Sequence, residues 1–281
     1  MRKTVAFFIA AIVLFGSTTV YAETGRHKFP KVNQNGKIAV VAHRGFWNCE
    51  QGGFSENSIA SLKAAQDNGL WGSECDIHLT SDGRVIVNHN KDIDGLKIAE
   101  HTFAELREHK LPNGERRPSF EEYVAQASGC KTTVLVVEFK AQPAEDIEDK
   151  LVEYAVKILK QYRMFKPDRV LFISFSEHIC QYIADKYPKF INQFLTSDKK
   201  SDMHPSQFAD NGINGVDYHY KLFLKHPEWV VQAKENGMSV NVWTVNDQQK
   251  IQKMIDLGVD AITSNEPLLV RRLLGEREFR K

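Results

Sequence analysis

Eight short apolar runs recur along the chain, and amphipathic helical segments stand between most of them. They are Lys37 to Ala42, Gly72 to Leu79, Thr133 to Phe139, Val170 to Phe175, Phe190 to Leu195, Gly215 to His219, Val240 to Val245 and Asp260 to Thr263. Near-continuous apolar strands joined by helices are the signature of a parallel sheet covered on both faces, because each crossover must return the chain to the same edge. Eight such units predict an α/β fold, a closed TIM (β/α)8 barrel. An open doubly wound sheet is the alternative, since periodicity does not by itself prove closure.

The intervening helices carry local signals. Ser55 is placed to cap a segment whose Ile59, Leu62 and Ala65 share a face and which Gly69 closes. Ser119 and Glu122 have capping-box spacing. From Ala144 to Tyr162, Ile147, Leu151, Tyr154 and Ile158 follow helical spacing; Pro227 can open a helix before Trp229, and Asn246 can cap the one carrying Ile251, Met254 and Ile255. One segment breaks the alternation. In ECDIHLTSDGRVIVNHN two strand-like runs flank Thr80-Ser81-Asp82-Gly83, which predicts a hairpin insertion after the second strand. With Leu79 opposite Arg84, His89 arrives opposite Glu74, unless a bulge shifts the register by one.

The first residues have the layout of a secretory leader: Met1-Arg2-Lys3, an apolar run from Val5 to Phe15, then GSTTVYA with Val20 and Ala22 as the small pair of a cleavage site. The expectation is a signal peptide over 1–22, a single domain over 23–281, and a mature chain exported to the periplasm or beyond. No later stretch is long enough for a membrane helix. With 37 basic and 36 acidic residues, no global field points to nucleic acid as a partner. Cys49, Cys75, Cys130 and Cys180 are scattered and lack zinc-site spacing; buried free thiols are the simpler reading, and pairing is not legible.

Chemistry concentrates at strand ends. Glu74 and Asp76 are two apart on a strand and point to one face, with Cys75 on the other. Glu138 stands near the end of VLVVEFK, with Lys140 on the same face. Buried carboxylates repel one another and lose hydration unless a cation compensates, and all-oxygen ligands suit a single hard divalent ion, Mg2+ or Ca2+. His43 and Arg44 close the first strand, and in a barrel the C-terminal strand ends converge. His43 and His89 can divide acid and base roles, while Arg44 and Lys140 can hold phosphate. Together these read as metal-assisted cleavage of a phosphodiester. Phe175, His219 and Trp243 fall near strand ends, where Trp243 can pack against a glycerol or a leaving alcohol or serve only the barrel. His78 lies beyond Asp76 near the turn and reads as structural or exposed; His101, His109, His178, His204 and His226 receive no role.

In this order, AHRG, SENS, ECDIHLTSDGRVIVNHN, LVVEFK, VNVWTVND and GVDAITSNEP resemble the motif set of the glycerophosphodiester phosphodiesterase family across nearly the whole chain after the leader. The resemblance implies a TIM barrel that hydrolyses glycerophosphodiesters to glycerol 3-phosphate and an alcohol with a divalent metal. It implies His43 and His89 as the acid/base pair, Glu74, Asp76 and Glu138 as metal ligands, and Arg44 and Lys140 near the phosphate. The chain departs from the family at Ser55, where proline is common, at Asn90 and at Thr263-Ser264-Asn265, where acids are common, and in a short stretch from Lys91 to Pro118. The expected partner is a small glycerophosphodiester. A phospholipase acting on intact lipid head groups, for which the Phe46-Trp47 pair and Phe54 speak, and a barrel that binds without catalysis are the competing readings.

Overall fold

The fold is described from a computed structural model over residues 38–197 and 203–275. The expected signal peptide and Lys37 lie outside these residues. In chain order the strands are β1 Ala39–Ala42, β2 Gly72–Leu79, β3 Val85–Val87, β4 Asp92–Ile93, β5 Leu96–Lys97, β6 Val134–Phe139, β7 Val170–Ser174, β8 Asn192–Thr196, β9 Gly215–His219, β10 Ser239–Trp243 and β11 Ala261–Ser264. Eight of them pair in parallel in the order β1-β11-β10-β9-β8-β7-β6-β2, and β1 also pairs with β2, so the sheet closes on itself. The fold is the closed TIM barrel, not the open sheet.

Closure explains the continuous apolar runs. One set of alternate residues, including Val41, Val136, Leu171, Ile173 and Leu195, fills the barrel interior. The other set faces the helices, as with Val40 and Ala42 in one cluster and Cys75, Ile77, Leu135 and Val137 in another. Both faces are dry, so neither needs polar residues. Acids on the inward set are therefore exceptions, and they mark the site. All four cysteines are free thiols, with Cys75 and Cys180 buried. No helix among the described residues is long and apolar enough to cross a membrane.

Three local expectations are corrected. The helix Ile59–Asp67 is capped by Ser58, whose hydroxyl accepts Ser61 N–H at 2.9 Å, because the chain makes a further turn after Ser55 through Asn57 at φ 55°. The helix Gln248–Leu257 is capped by Asp247, while Asn246 Oδ1 accepts Ser264 Oγ and Asn265 N–H instead. The hairpin forms, but Leu79 pairs with Val85, one position later than expected, because Thr80 and Arg84 close the turn with a 2.9 Å backbone bond. The ladder ends at Val87, and Asn88 N–H reaches Asp76 O at 3.0 Å. His89 is thus carried toward Asp76 on a loop rather than opposite Glu74 on a strand. The rest of the insertion is small: the β4–β5 ladder, a 3-10 turn and the helix Phe103–Arg107, gathered on Ile86, Ile93, Ile98, Phe103 and Leu106.

Candidate active site

A sharp turn after β1 builds one side of the site. Arg44 and Gly45 both take positive φ, 56° and 81°, and a Cβ on Gly45 would lie 2.2 Å from Ser61 Oγ, so only glycine fits there. The turn aims Arg44 N–H at Glu74 Oε2, 2.6 Å away, and its guanidinium at Glu56, 2.6 Å, with Asp76 at 3.8 Å. On the barrel wall Asp76 and Glu138 are register partners on β2 and β6. Lys140 Nζ bridges them, 2.7 Å from Asp76 Oδ1 and 2.5 Å from Glu138 Oε1.

Glu74, Asp76 and Glu138 are all buried, and each offers an oxygen within 4.8 Å of the others. Their protonation is driven apart. Burial alone would raise the Asp76 carboxyl, but Lys140, His89 and Arg44 outweigh it and hold it well below the usual carboxylate range. Burial, then the charges of Asp76 and Glu138, push Glu74 well above that range. Glu138 is raised as well, chiefly by burial and against the pull of Lys140. Ionised together, the three carboxylates would carry more negative charge than Arg44 and Lys140 neutralise, which is why Glu74 and Glu138 hold their protons so strongly, and the buried Glu74 Oε1 has no hydrogen-bond partner among the described residues. Three hard oxygen donors, one of them unpartnered, fit a divalent cation.

The two imidazoles flank this cluster from loops. His43 Nδ1 lies 2.7 Å from Asn265 Oδ1 and His89 Nδ1 lies 2.9 Å from Asn90 Oδ1. An amide oxygen accepts, so each Nδ1 carries the proton and each Nε2 keeps its lone pair. Burial, then Arg44, lowers the pKa of His43 to about 4; burial, then Lys140, lowers that of His89. The loop bearing His89 is pinned. Asn88 donates to Asn90 O at 2.7 Å and accepts from Arg117 at 2.7 Å, and His78 Nε2 stands 3.4 Å from His89 O. His78 is buried.

Trp243 occupies a different corner. Its indole N–H donates to Asp217 O at 2.9 Å, and its ring meets Phe175 and His219 edge-on with centroids 5.5 and 5.2 Å away. The three sequence candidates at the ends of β7, β9 and β10 therefore form one aromatic wall at the barrel mouth. Four groups escaped the sequence reading. Asn57 clamps Asp76; Asn88 and Arg117 brace the His89 loop; and Asp217, 1 % exposed inside the barrel, has an Oδ1 without a partner among the described residues and a pKa raised by burial and by Glu138. A lone acid between Val216 and Tyr218 is the same signal that exposed Glu138; the asparagines carry none.

Comparison with known proteins agrees with this geometry. Residues 43–269 match the glycerophosphoryl diester phosphodiesterase family. The crystal structure of a glycerophosphodiester phosphodiesterase from Parabacteroides distasonis is 36 % identical and superposes with a TM-score of 0.80, covering 85 % of this chain and 97 % of that one. A glycerophosphodiester phosphodiesterase from Caldanaerobacter subterraneus is 28 % identical over 247 residues, 82 % of this chain and 95 % of its own. An Oleispira antarctica phosphodiesterase, solved with the product sn-glycerol-3-phosphate, shares the fold at 24 % identity and a TM-score of 0.72, over 85 % of this chain and 98 % of that one. This chain belongs to the glycerophosphoryl diester phosphodiesterase family.

Proposed function

We propose that the protein hydrolyses glycerophosphodiesters to glycerol 3-phosphate and an alcohol. The observation that carries this is the buried triad of Glu74, Asp76 and Glu138 with Arg44 and Lys140 on it and the imidazoles of His43 and His89 beside it. When bound, a divalent cation held by the three carboxylates would polarise the phosphoryl group. Arg44 and Lys140 bring the two fixed positive charges that meet the phosphate anion. His43, with Nε2 unprotonated, takes the proton of the attacking hydroxyl. His89, in its imidazolium form with Nε2 protonated, gives that proton to the oxygen of the departing alcohol, so that in the net reaction one water adds across one P–O bond. Trp243, backed by Phe175 and His219, offers the glycerol carbons an apolar face. The leader-like pattern over 1–22 supports export of the mature chain.

The test follows phosphorus directly. Incubation of the purified protein with a glycerophosphodiester and Mg2+ or Ca2+ should convert the diester signal in the 31P NMR spectrum to that of glycerol 3-phosphate. Persistence of the diester across several head groups would end this reading, and turnover of intact phospholipid alone would replace it with the phospholipase.

A further inference from the structure

A phosphodiester has two ester arms, and two sides of the site stand to receive them. The aromatic wall of Phe175, His219 and Trp243 bounds one at the barrel mouth. The other is a cleft of about 590 Å³ between the loop after β1 and the insertion, reached past Arg44 and His89, which both line it. Its size falls within the range of small-molecule pockets, roughly 300–1,000 Å³. None of Glu74, Asp76, Glu138 and Lys140 lines it, so it extends away from the reacting centre rather than being that centre. We propose that this cleft receives the leaving alcohol and selects alcohols that carry an amine or a quaternary ammonium group, an inference that rests on the phosphodiesterase reading.

Charge and surface chemistry argue for the cation. The lining carries the carboxylates of Glu56, Asp92 and Asp94 against the guanidiniums of Arg44 and Arg117. Arg44 is already engaged by Glu56 and Asp76 and is the residue that meets the phosphate. Among the described residues Asp92, half-buried, makes no ion pair, and the close partner of Asp94 is the His109 imidazole, at 2.7 Å, with Arg117 within reach of its charge. With Glu56 paired to Arg44, two further carboxylates, Asp92 and Asp94, stand with the single guanidinium of Arg117. Two aromatic rings complete the lining: Trp47, half-buried, and Phe54, which is 59 % exposed although it is a large apolar side chain. Aromatic faces beside carboxylates are the chemistry that recognises an ammonium ion, whereas a second anion would be repelled and a plain polyol would gain little from the rings.

The rim is also preformed. Gly53 packs so closely on the insertion that a Cβ there would lie 3.0 Å from Asn113 Cβ. Glu115 accepts the Ile59 and Ala60 N–H groups at 3.0 and 3.3 Å, fastening the insertion to the start of the helix Ile59–Asp67. Selection therefore costs little ordering of the walls.

The experiment compares kcat/KM for glycerophosphocholine, glycerophosphoethanolamine, glycerophosphoglycerol and glycerophosphoinositol on the wild-type protein and on Asp92→Asn, Phe54→Ala and Trp47→Ala. Both amine-bearing substrates should exceed the two neutral ones by about fivefold or more. Each variant should shrink that ratio by roughly 2- to 5-fold, the scale of one exposed cation–aromatic contact. Hydrolysis of all four at similar kcat/KM, or a ratio that none of the variants changes, would overturn the cleft assignment and leave the phosphodiesterase standing. Hydrolysis of none would remove both.

Discussion

Asn57 donates its side-chain amide to Asp76 Oδ2 at 2.8 Å and accepts the backbone N–H of the same Asp76 at 3.2 Å. This two-point clamp orients a carboxylate of the buried triad without adding charge. Its backbone sits at φ 55°, a conformation that asparagine and glycine adopt more readily than other residues. Asn57→Gly therefore keeps the turn and removes the clamp. Loss of a partner that orients a ligand typically costs about 10- to 100-fold, and kcat/KM on a glycerophosphodiester should fall by that factor with the thermal transition retained. Unchanged kinetics would show that Asp76 needs no orienting.

The carboxylate triad makes a prediction about stability. Glu74 and Glu138 have folded-state pKa values raised above the roughly 4.3 of an unfolded glutamate, so the native protein holds more protons than the unfolded one between those values. Stability tied to them falls as pH rises through that window. Asp76 works the other way: its lowered pKa contributes stability present above the unfolded value of about 3.9 and lost as pH falls through the folded one. A cation that binds the ionised triad should therefore raise the melting temperature, and raise it more at pH 8 than at pH 5. Equal shifts at both pH values, or none, would detach the metal from these three residues.

The histidines should set the pH profile. A base such as His43, lowered to about 4 by burial, is deprotonated above that pH, while burial and Lys140 favour the neutral form of His89, so an acid there loses its proton earlier than an ordinary imidazole. The kcat/KM profile should be a bell whose acid limb follows His43, near pH 4, and whose alkaline limb follows His89 and lies lower than an ordinary histidine would place it. His43→Ala and His89→Ala should each lower kcat by about 10²- to 10⁴-fold, and each should abolish one limb. Near-normal turnover in either variant would take that residue out of the pair.

Much of this was legible in the sequence, and the reasons differ by residue. The eight barrel strands are legible because burial on both faces leaves continuous apolar runs, and Glu138 and Asp76 stand out because acids violate that rule. The motif resemblance then names their roles. Helix caps were off by one or three positions, Asn246 for Asp247 and Ser55 for Ser58, because several residues in a row can cap and only the turn geometry chooses. The hairpin register slipped by one because turn closure through Thr80 is a tertiary outcome. Asn57, Asn88 and Arg117 stay hidden because their work is done through contacts 19 positions away, Asn57 to Asp76, and 29 positions away, Arg117 to Asn88, which spacing along one element does not display.

Asn88 illustrates the consequence. Buried behind the loop, it donates to Asn90 O, accepts from Arg117 and gives its own N–H to Asp76 O. Asn88→Ala should lower kcat by roughly tenfold or more, with a smaller change in KM, because the change chiefly releases His89 although Asn88 also lines the cleft. A rise in KM at constant kcat would make Asn88 a binding residue instead.

The most direct measurement of the central claim is release of glycerol 3-phosphate by the metal-stripped protein, with chelator present and then with Mg2+ or Ca2+ added back, beside a Glu74→Gln variant. The account predicts no product with chelator, recovery with the cation in the wild type, and little recovery in the variant at the same cation concentration. Full turnover in the presence of chelator would contradict it.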